Sequence, residues 1–183
     1  MDSRVALAFH RFDRAELHFC RLLNRTSGLG TVRALLRSVS WLGDGWLWYG
    51  LIALLPILYG GHGWLAAGQM AATGALGVLV YRLIKHRAVR ERPFITHAAI
   101  NCAAVPLDRY SFPSGHTLHA VAFTSLMAHH FPEWTGALIA FTALVALSRV
   151  VLGLHYPTDV AAGAVLGGGL AVLSMQGAAL AGL

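Results

Sequence analysis

The sequence predicts an all-α, polytopic membrane helix bundle: about five spanning helices, preceded by an N-terminal amphipathic helix that lies in the interface. Three observations carry this. Of 183 residues, 56% are hydrophobic and only 12% are charged, where a soluble domain carries about a quarter charged. Five runs approach the roughly 20 apolar residues that a bilayer asks of a helix. Trp46, Trp48, Trp64 and Trp134 stand near the ends of those runs, where aromatic rings anchor at the membrane–water boundary. The length suits one integral-membrane domain over residues 1–183, with 1–40 the interfacial segment.

Taken in order, the first 40 residues are amphipathic. Val5, Ala8, Phe9, Phe12, Phe19, Leu22 and Leu23 recur at three- and four-residue steps, while Arg4, Arg11, His18 and Arg25 mark the other side. That is the pattern of a helix lying on a membrane. Charges interrupt the segment too often for the apolar core of a signal peptide. "WLGDGW" at 41–46 reads as a turn into the first membrane helix. The spans follow at 46–60 (short, extending toward Leu42), 64–84, 115–131, 134–154 and 158–180. "AAGQMAATGALG" and "AAGAVLGGGLAV" concentrate small residues in the second and last spans, which predicts close helix packing rather than a ligand loop. The segment between the second and third spans, 86–114, is long for a helical membrane protein, and loops of that length are usually functional or disordered.

A net charge of +6 on a polytopic apolar chain directs attention to anionic headgroups or phosphorylated substrates rather than nucleic acid. Cys20 and Cys102 lie far apart and form no metal-type spacing.

Alternation of five spans brings Lys85, Arg92, Ser114, His116, Arg149, His155 and Asp159 to one membrane face. Charges at such positions are costly and are functional candidates by default. The chemistry they suit is phosphoryl transfer. Three cations, two of them forked guanidinium groups, match the equatorial oxygens of a phosphate. "PSGH" at the start of a helix offers free backbone N–H groups, and Gly115 lets the backbone approach closely. Pro113 and Ser114 are equally good helix-start residues, so a plain cap is the other reading of that pair. Asp159, one turn after His155, can orient that imidazole as a nucleophile, leaving His116 as the acid on the departing oxygen. No carboxylate cluster is available for a pair of magnesium ions, and neither metal nor other cofactor is expected. His119 pairs with His116 at three residues, but a third ligand is missing and a packed helix residue is expected. Arg87, Arg90 and Arg109 read as solvated or headgroup-facing charge, and Asp108 as a partner for some loop cation.

These residues resemble the signature of the type 2 phosphatidic acid phosphatase family. Its first block is matched by Lys85, six residues, then Arg92-Pro93. Pro113-Ser114-Gly115-His116 matches the second, and Ser148-Arg149, five residues, His155, three residues and Asp159 the third. The resemblance implies a membrane enzyme that removes phosphate from a lipid through a phosphohistidine, without metal. It implies Lys85, Arg92, Arg149, Ser114 and Gly115 as phosphate binders, His155 as nucleophile, Asp159 as its orienter and His116 as acid. "ERPFITH" followed by "SFPSGHT" is similar to small bacterial enzymes acting on undecaprenyl diphosphate. That branch often carries Asp at the position of Gly115, so phosphatidylglycerol phosphate, phosphatidic acid and lipid A phosphates stand beside it as candidate substrates.

Two alternatives share the residues: a lipid phosphotransferase using the same phosphohistidine, and a non-catalytic headgroup binder or transporter. Placement in the membrane is contested. Seven arginines in the first 40 residues join the motif cations on one side, which the positive-inside rule assigns to the cytoplasm. The resemblance implies the opposite, a site facing the periplasm or exterior of a bacterial inner membrane, and that is the expectation taken forward.

Overall fold

Helices carry almost all of the chain in the computed structural model, which describes the backbone of residues 3–106 and 108–182 and the side chains from Arg14 onward, Leu107 and Leu183 excepted. They are α1 (Ser3–Arg25), α2 (Gly30–Trp41), α3 (Leu47–Ala88), the short α4 (Pro93–Thr96), α5 (Gly115–His130), α6 (Thr135–Val151) and α7 (Pro157–Leu180). Among the described residues no strand forms, and the one bridge pairs Glu91 with Tyr110 across the long loop. By length and composition, the segments 30–88, 132–151 and 157–180 can cross a membrane.

The amphipathic N-terminal segment divides into two helices at a tight turn over Thr26–Gly28. Val5, Ala8, Phe9 and Phe12, with Arg4 and Arg11, lie outside the described side chains. Of the remaining stripe, Phe19 and Leu22 are exposed, while α1 docks through Glu16, Cys20 and Asn24, which follow one another at four-residue steps. Asn24 is a clamp: its amide donates to the carbonyls of Asn101 and Val151 at 2.9 Å each and accepts from Asn101 N–H at 2.8 Å.

The segment "WLGDGW" is not a free turn. Leu42–Trp46 forms a widened helical turn, kinked where Gly45 adopts φ 133°, and α2 runs through it into α3. Gly60, at φ 57°, breaks α3 into two arms. Both arms meet one ring: Phe123 packs at a tilt against Trp48 of the first arm and stands against Gly74 of the second. The arms therefore fold back as a hairpin over the two stretches, 46–60 and 64–84, that the sequence marks as apolar runs before the loop. Trp46 and Trp64 are well exposed near the ends of these arms, as anchors are; Trp48 is fully buried and belongs to the core instead. It sits one turn past the kink, where the ring turns inward against Phe123 and Phe141.

Helix α5 is the centre of the bundle, buried on most of its circumference and flanked by α3, α6 and α7. Its approach to α7 depends on small residues. A Cβ built at Gly167 would stand 2.2 Å from the Leu118 carbonyl oxygen, and one at Gly163 would stand 2.5 Å from that of Ser114. The small-residue stripe of the last span is thus the surface on which the motif helix rests. Outward positions such as Ile57, Val165 and Leu173 remain exposed and apolar, a lipid-facing exterior. Gly167→Ala is expected to destabilise the protein by about 1–3 kcal/mol through overpacking. Gly169→Ala, where nothing lies within 4 Å of the added carbon, leaves the melting temperature in detergent unchanged within error.

Candidate active site

A cavity of about 560 Å³ opens at one end of the bundle, between the arms of α3, the first turn of α5 and the end of α6. Lys85, Arg92, Arg149, His116 and His155 line its polar end, and Trp48, Ile52, Met70 and Val78 its apolar length. Lys85 and Arg149 stand in the last turns of α3 and α6, where a helix terminus favours a cation. Arg92 precedes α4 and is held on three sides. Its Nε donates to Asp108 C=O at 2.8 Å, Nη1 to Leu154 C=O at 2.9 Å, and Nη2 to Asp108 Oδ1 at 2.9 Å. Arg149 donates to Ser40 Oγ through Nη1, while its buried Nε has no hydrogen-bond partner in the protein. A buried guanidinium N–H left without a partner is uncommon, because buried polar groups are normally hydrogen-bonded.

His155 follows α6 in the tight turn before α7. Arg92 Nη1 lies 3.2 Å from its Nε2, and a guanidinium can only donate, so Nε2 carries the lone pair and Nδ1 the proton. That Nδ1 faces Asp159 Oδ2 at 3.7 Å. Burial first, then the charges of Arg149, Arg92 and Lys85, hold His155 well below the ordinary histidine value. The ring is therefore neutral at physiological pH, with its lone pair turned to the cations: the state a nucleophile needs.

Asp159 is fixed from all sides. Its Oδ2 accepts the Tyr156 N–H at 2.8 Å, closing a capping box at the start of α7. Its carbonyl accepts the Ser114 N–H at 3.0 Å, tying the third motif block to the second. Ser114 is fully buried and acts as the α5 cap, accepting from Thr117 N–H at 3.4 Å and sharing a proton with Thr117 Oγ1 at 3.0 Å. Of the two residues expected to help cradle phosphate, Gly115 reaches the cavity and Ser114 supports it from behind. His119 joins helices: Nε2 meets the Gly74 carbonyl at 3.1 Å and Nδ1 that of Gly115 at 2.9 Å. Among the described residues no group of three or more His, Cys, Asp or Glu side chains is placed to hold a metal ion.

Residues 63–181 match the PAP2 superfamily. The chain belongs to that family. It is 35% identical over 152 residues to the decaprenylphosphoryl-5-phosphoribose phosphatase of Mycobacterium tuberculosis, covering 80% of this chain and 78% of the relative. It is 29% identical over 150 residues to the undecaprenyl-diphosphatase of Sulfolobus acidocaldarius, covering 81% and 71%. In fold it is similar to the crystal structure of Aquifex aeolicus LpxE, with a TM-score of 0.78 at 24% identity, over 87% of this chain and 94% of that one.

Around the motif blocks, this PAP2 protein places four acidic and basic groups that spacing did not assign. Arg90, expected as solvated charge, donates instead to Asp159 Oδ1 at 2.8 Å and to Glu16 Oε2 at 2.7 Å, and its guanidinium lies 3.9 Å from the centre of the Tyr156 ring. Glu16, from α1, also accepts the Thr158 N–H at 2.8 Å. The one sequence signal for Glu16 was an acid on the same helix face as Cys20 and Asn24. Asp44 Oδ1 lies 3.2 Å from His116 Nε2; an acid inside a membrane turn was its signal. Asp108 bridges Lys85 at 2.6 Å and Arg92 at 2.9 Å. Burial pushes its carboxyl up, but the bonds and charges of Lys85 and Arg92 prevail and hold it below the ordinary value. Arg109 bonds Glu91 at the surface, and Arg87 is exposed.

Asp108 thus holds two cations of the set expected to meet phosphate. Asp108→Asn is expected to tighten inhibition by orthovanadate roughly fivefold, the scale of one half-exposed ion pair worth about 1 kcal/mol. Vanadate titration of both proteins in detergent reads this directly.

Proposed function

We propose that this chain is an integral-membrane lipid phosphatase that cleaves a phosphomonoester or diphosphate through a phosphohistidine on His155. The observation that carries the reading is the His155 Nε2 lone pair, turned into three cations at the polar end of a cavity whose remaining length is apolar. That shape takes a phosphate at one end and a lipid chain along the other. The relatives named for decaprenyl and undecaprenyl substrates favour a polyprenyl lipid, with undecaprenyl diphosphate first; phosphatidylglycerol phosphate, phosphatidic acid and lipid A phosphate are the competing substrates.

In the first step His155 Nε2 attacks phosphorus as the bond to the lipid oxygen breaks. His116 gives that oxygen its proton. Lys85, Arg92 and Arg149 neutralise the charge that gathers on the equatorial oxygens, and Asp159 stabilises the His155 ring as it becomes positive. In the second step water attacks phosphorus, the P–N bond breaks, and His116 takes the water proton. The cations supply the neutralisation that a metal supplies elsewhere, so activity in EDTA is expected.

The purified protein should release inorganic phosphate from undecaprenyl diphosphate, or another member of that lipid set, in EDTA. Vanadate should inhibit it, and His155→Ala should lose at least about 10³-fold in kcat, the scale of removing a covalent nucleophile. Full activity of that variant would sink the mechanism. Transfer of labelled phosphate to an added acceptor lipid would mark a phosphotransferase, and tight binding without turnover a headgroup binder.

The site opens to the periplasm or exterior of a bacterial inner membrane in this reading. Supporting it, several cations on that side are engaged within the protein rather than left to steer topology: Arg37 on Ala103 C=O, Arg90 on Glu16 and Asp159, Arg109 on Glu91. Cys102 on the loop is exposed and Cys20 is buried, with burial and Glu16 pushing the Cys20 thiol up to about 12. A membrane-impermeant maleimide applied to intact cells should label Cys102 and spare Cys20; protection of Cys102 until the cells are opened would place the site in the cytoplasm.

A further inference from the structure

The cations that bind phosphate oppose the acid that must release the lipid. His116 is buried at the start of α5, and the groups whose charges bear on it are Arg149 from α6, His155 from the turn after it, His119 from its own helix and Arg92 from the loop. Each of them is a cation or a base, and none offers the ring a negative charge. A leaving alkoxide nevertheless needs a proton from it. One carboxylate touches the ring: Asp44 Oδ1, 3.2 Å from Nε2.

The position of Asp44 is built into the fold. The widened turn Leu42–Trp46 is closed on one side by Gly43, packed on Val145, and kinked at Gly45. Between them Asp44 lines the cavity opposite α5. Arg149, the nearby cation that could have claimed it, bonds Ser40 instead. An acid in a segment long and apolar enough to span a membrane is costly, and its contact with His116 accounts for its presence.

We infer that Asp44 is the positioning residue of the general acid, forming with His116 a second imidazole–carboxylate pair across the cavity from His155 and Asp159. This rests on the phosphatase reading above. The role asked of Asp44 is that of the ionised carboxylate. It stabilises His116 as imidazolium; the ring's N–H bond breaks as the lipid O–H bond forms, and water returns the proton when the P–N bond of the phosphohistidine is hydrolysed. The pair matters most where the leaving group is poorest. Its effect is therefore larger on a phosphomonoester of a lipid alcohol than on a diphosphate, which expels a phosphate group that departs with little help.

The test is leaving-group dependence, in detergent, with dodecyl phosphate and 4-nitrophenyl phosphate as probes. Asp44→Asn is expected to lose about 10- to 100-fold in kcat/KM on dodecyl phosphate, part of the 10²–10⁴ that general acid catalysis contributes, and less than about threefold on 4-nitrophenyl phosphate. Asp44→Glu should recover much of the dodecyl phosphate rate. In a His116→Asn background, Asp44→Asn should cost nothing further. Measuring both substrates on one preparation cancels the active fraction, so a partly misfolded variant still reports the ratio. Equal losses on the two substrates, or a full loss added on top of His116→Asn, would overturn the pairing while leaving the phosphatase reading intact. A wild-type protein that hydrolyses neither probe nor any lipid phosphate would overturn both.

Discussion

Three cations share one largely buried cavity, and much of the surrounding structure is an answer to their mutual repulsion. Lys85, Arg92 and Arg149 come from the end of α3, the loop after it and the end of α6. Each is met by a different device: Asp108 bridges the first two, a backbone carbonyl and His155 take the remaining N–H of Arg92, and Ser40 takes one N–H of Arg149. Leaving such charges unpaired in an apolar bundle is expensive. Burial and the same field together hold His155 well below the ordinary histidine value.

The N-terminal helix is part of this arrangement. Glu16 receives Arg90 and the start of α7, and Arg90 in turn bonds the free oxygen of Asp159. A helix that reads as a membrane-surface element therefore also reaches, through Arg90, the carboxylate that faces His155. Asn24, one turn farther than Cys20, ties the same helix to the loop and to the end of α6. The long loop has only the short α4 and one bridge of its own, and these contacts and Asp108 tie it to the bundle.

Much of this was legible in the sequence. The apolar runs located the helices to within a few residues, because a bilayer imposes a length and a hydropathy that no other environment does. Alternation of the spans brought the three motif blocks to one end, where the structure has them. Misreadings fell where local pattern and tertiary contact disagree. Trp48 looks like an interfacial ring and is core, since its neighbour across the hairpin is set by the hinge at Gly60. Arg90 reads as solvated charge and is bonded to Asp159 and Glu16.

By itself the sequence determined the helical class, the order of the spans and the candidate residues Lys85, Arg92, His116, Arg149, His155 and Asp159, because composition and spacing along a helix are local properties. Only the tertiary structure decided which carboxylate stands beside which cation or imidazole. Asp44 is 72 residues from His116, and Glu16 is 74 from Arg90. No periodicity connects positions so far apart; they meet because α3 folds back, α1 docks by its polar face, and charges buried together must find partners wherever the chain brings them.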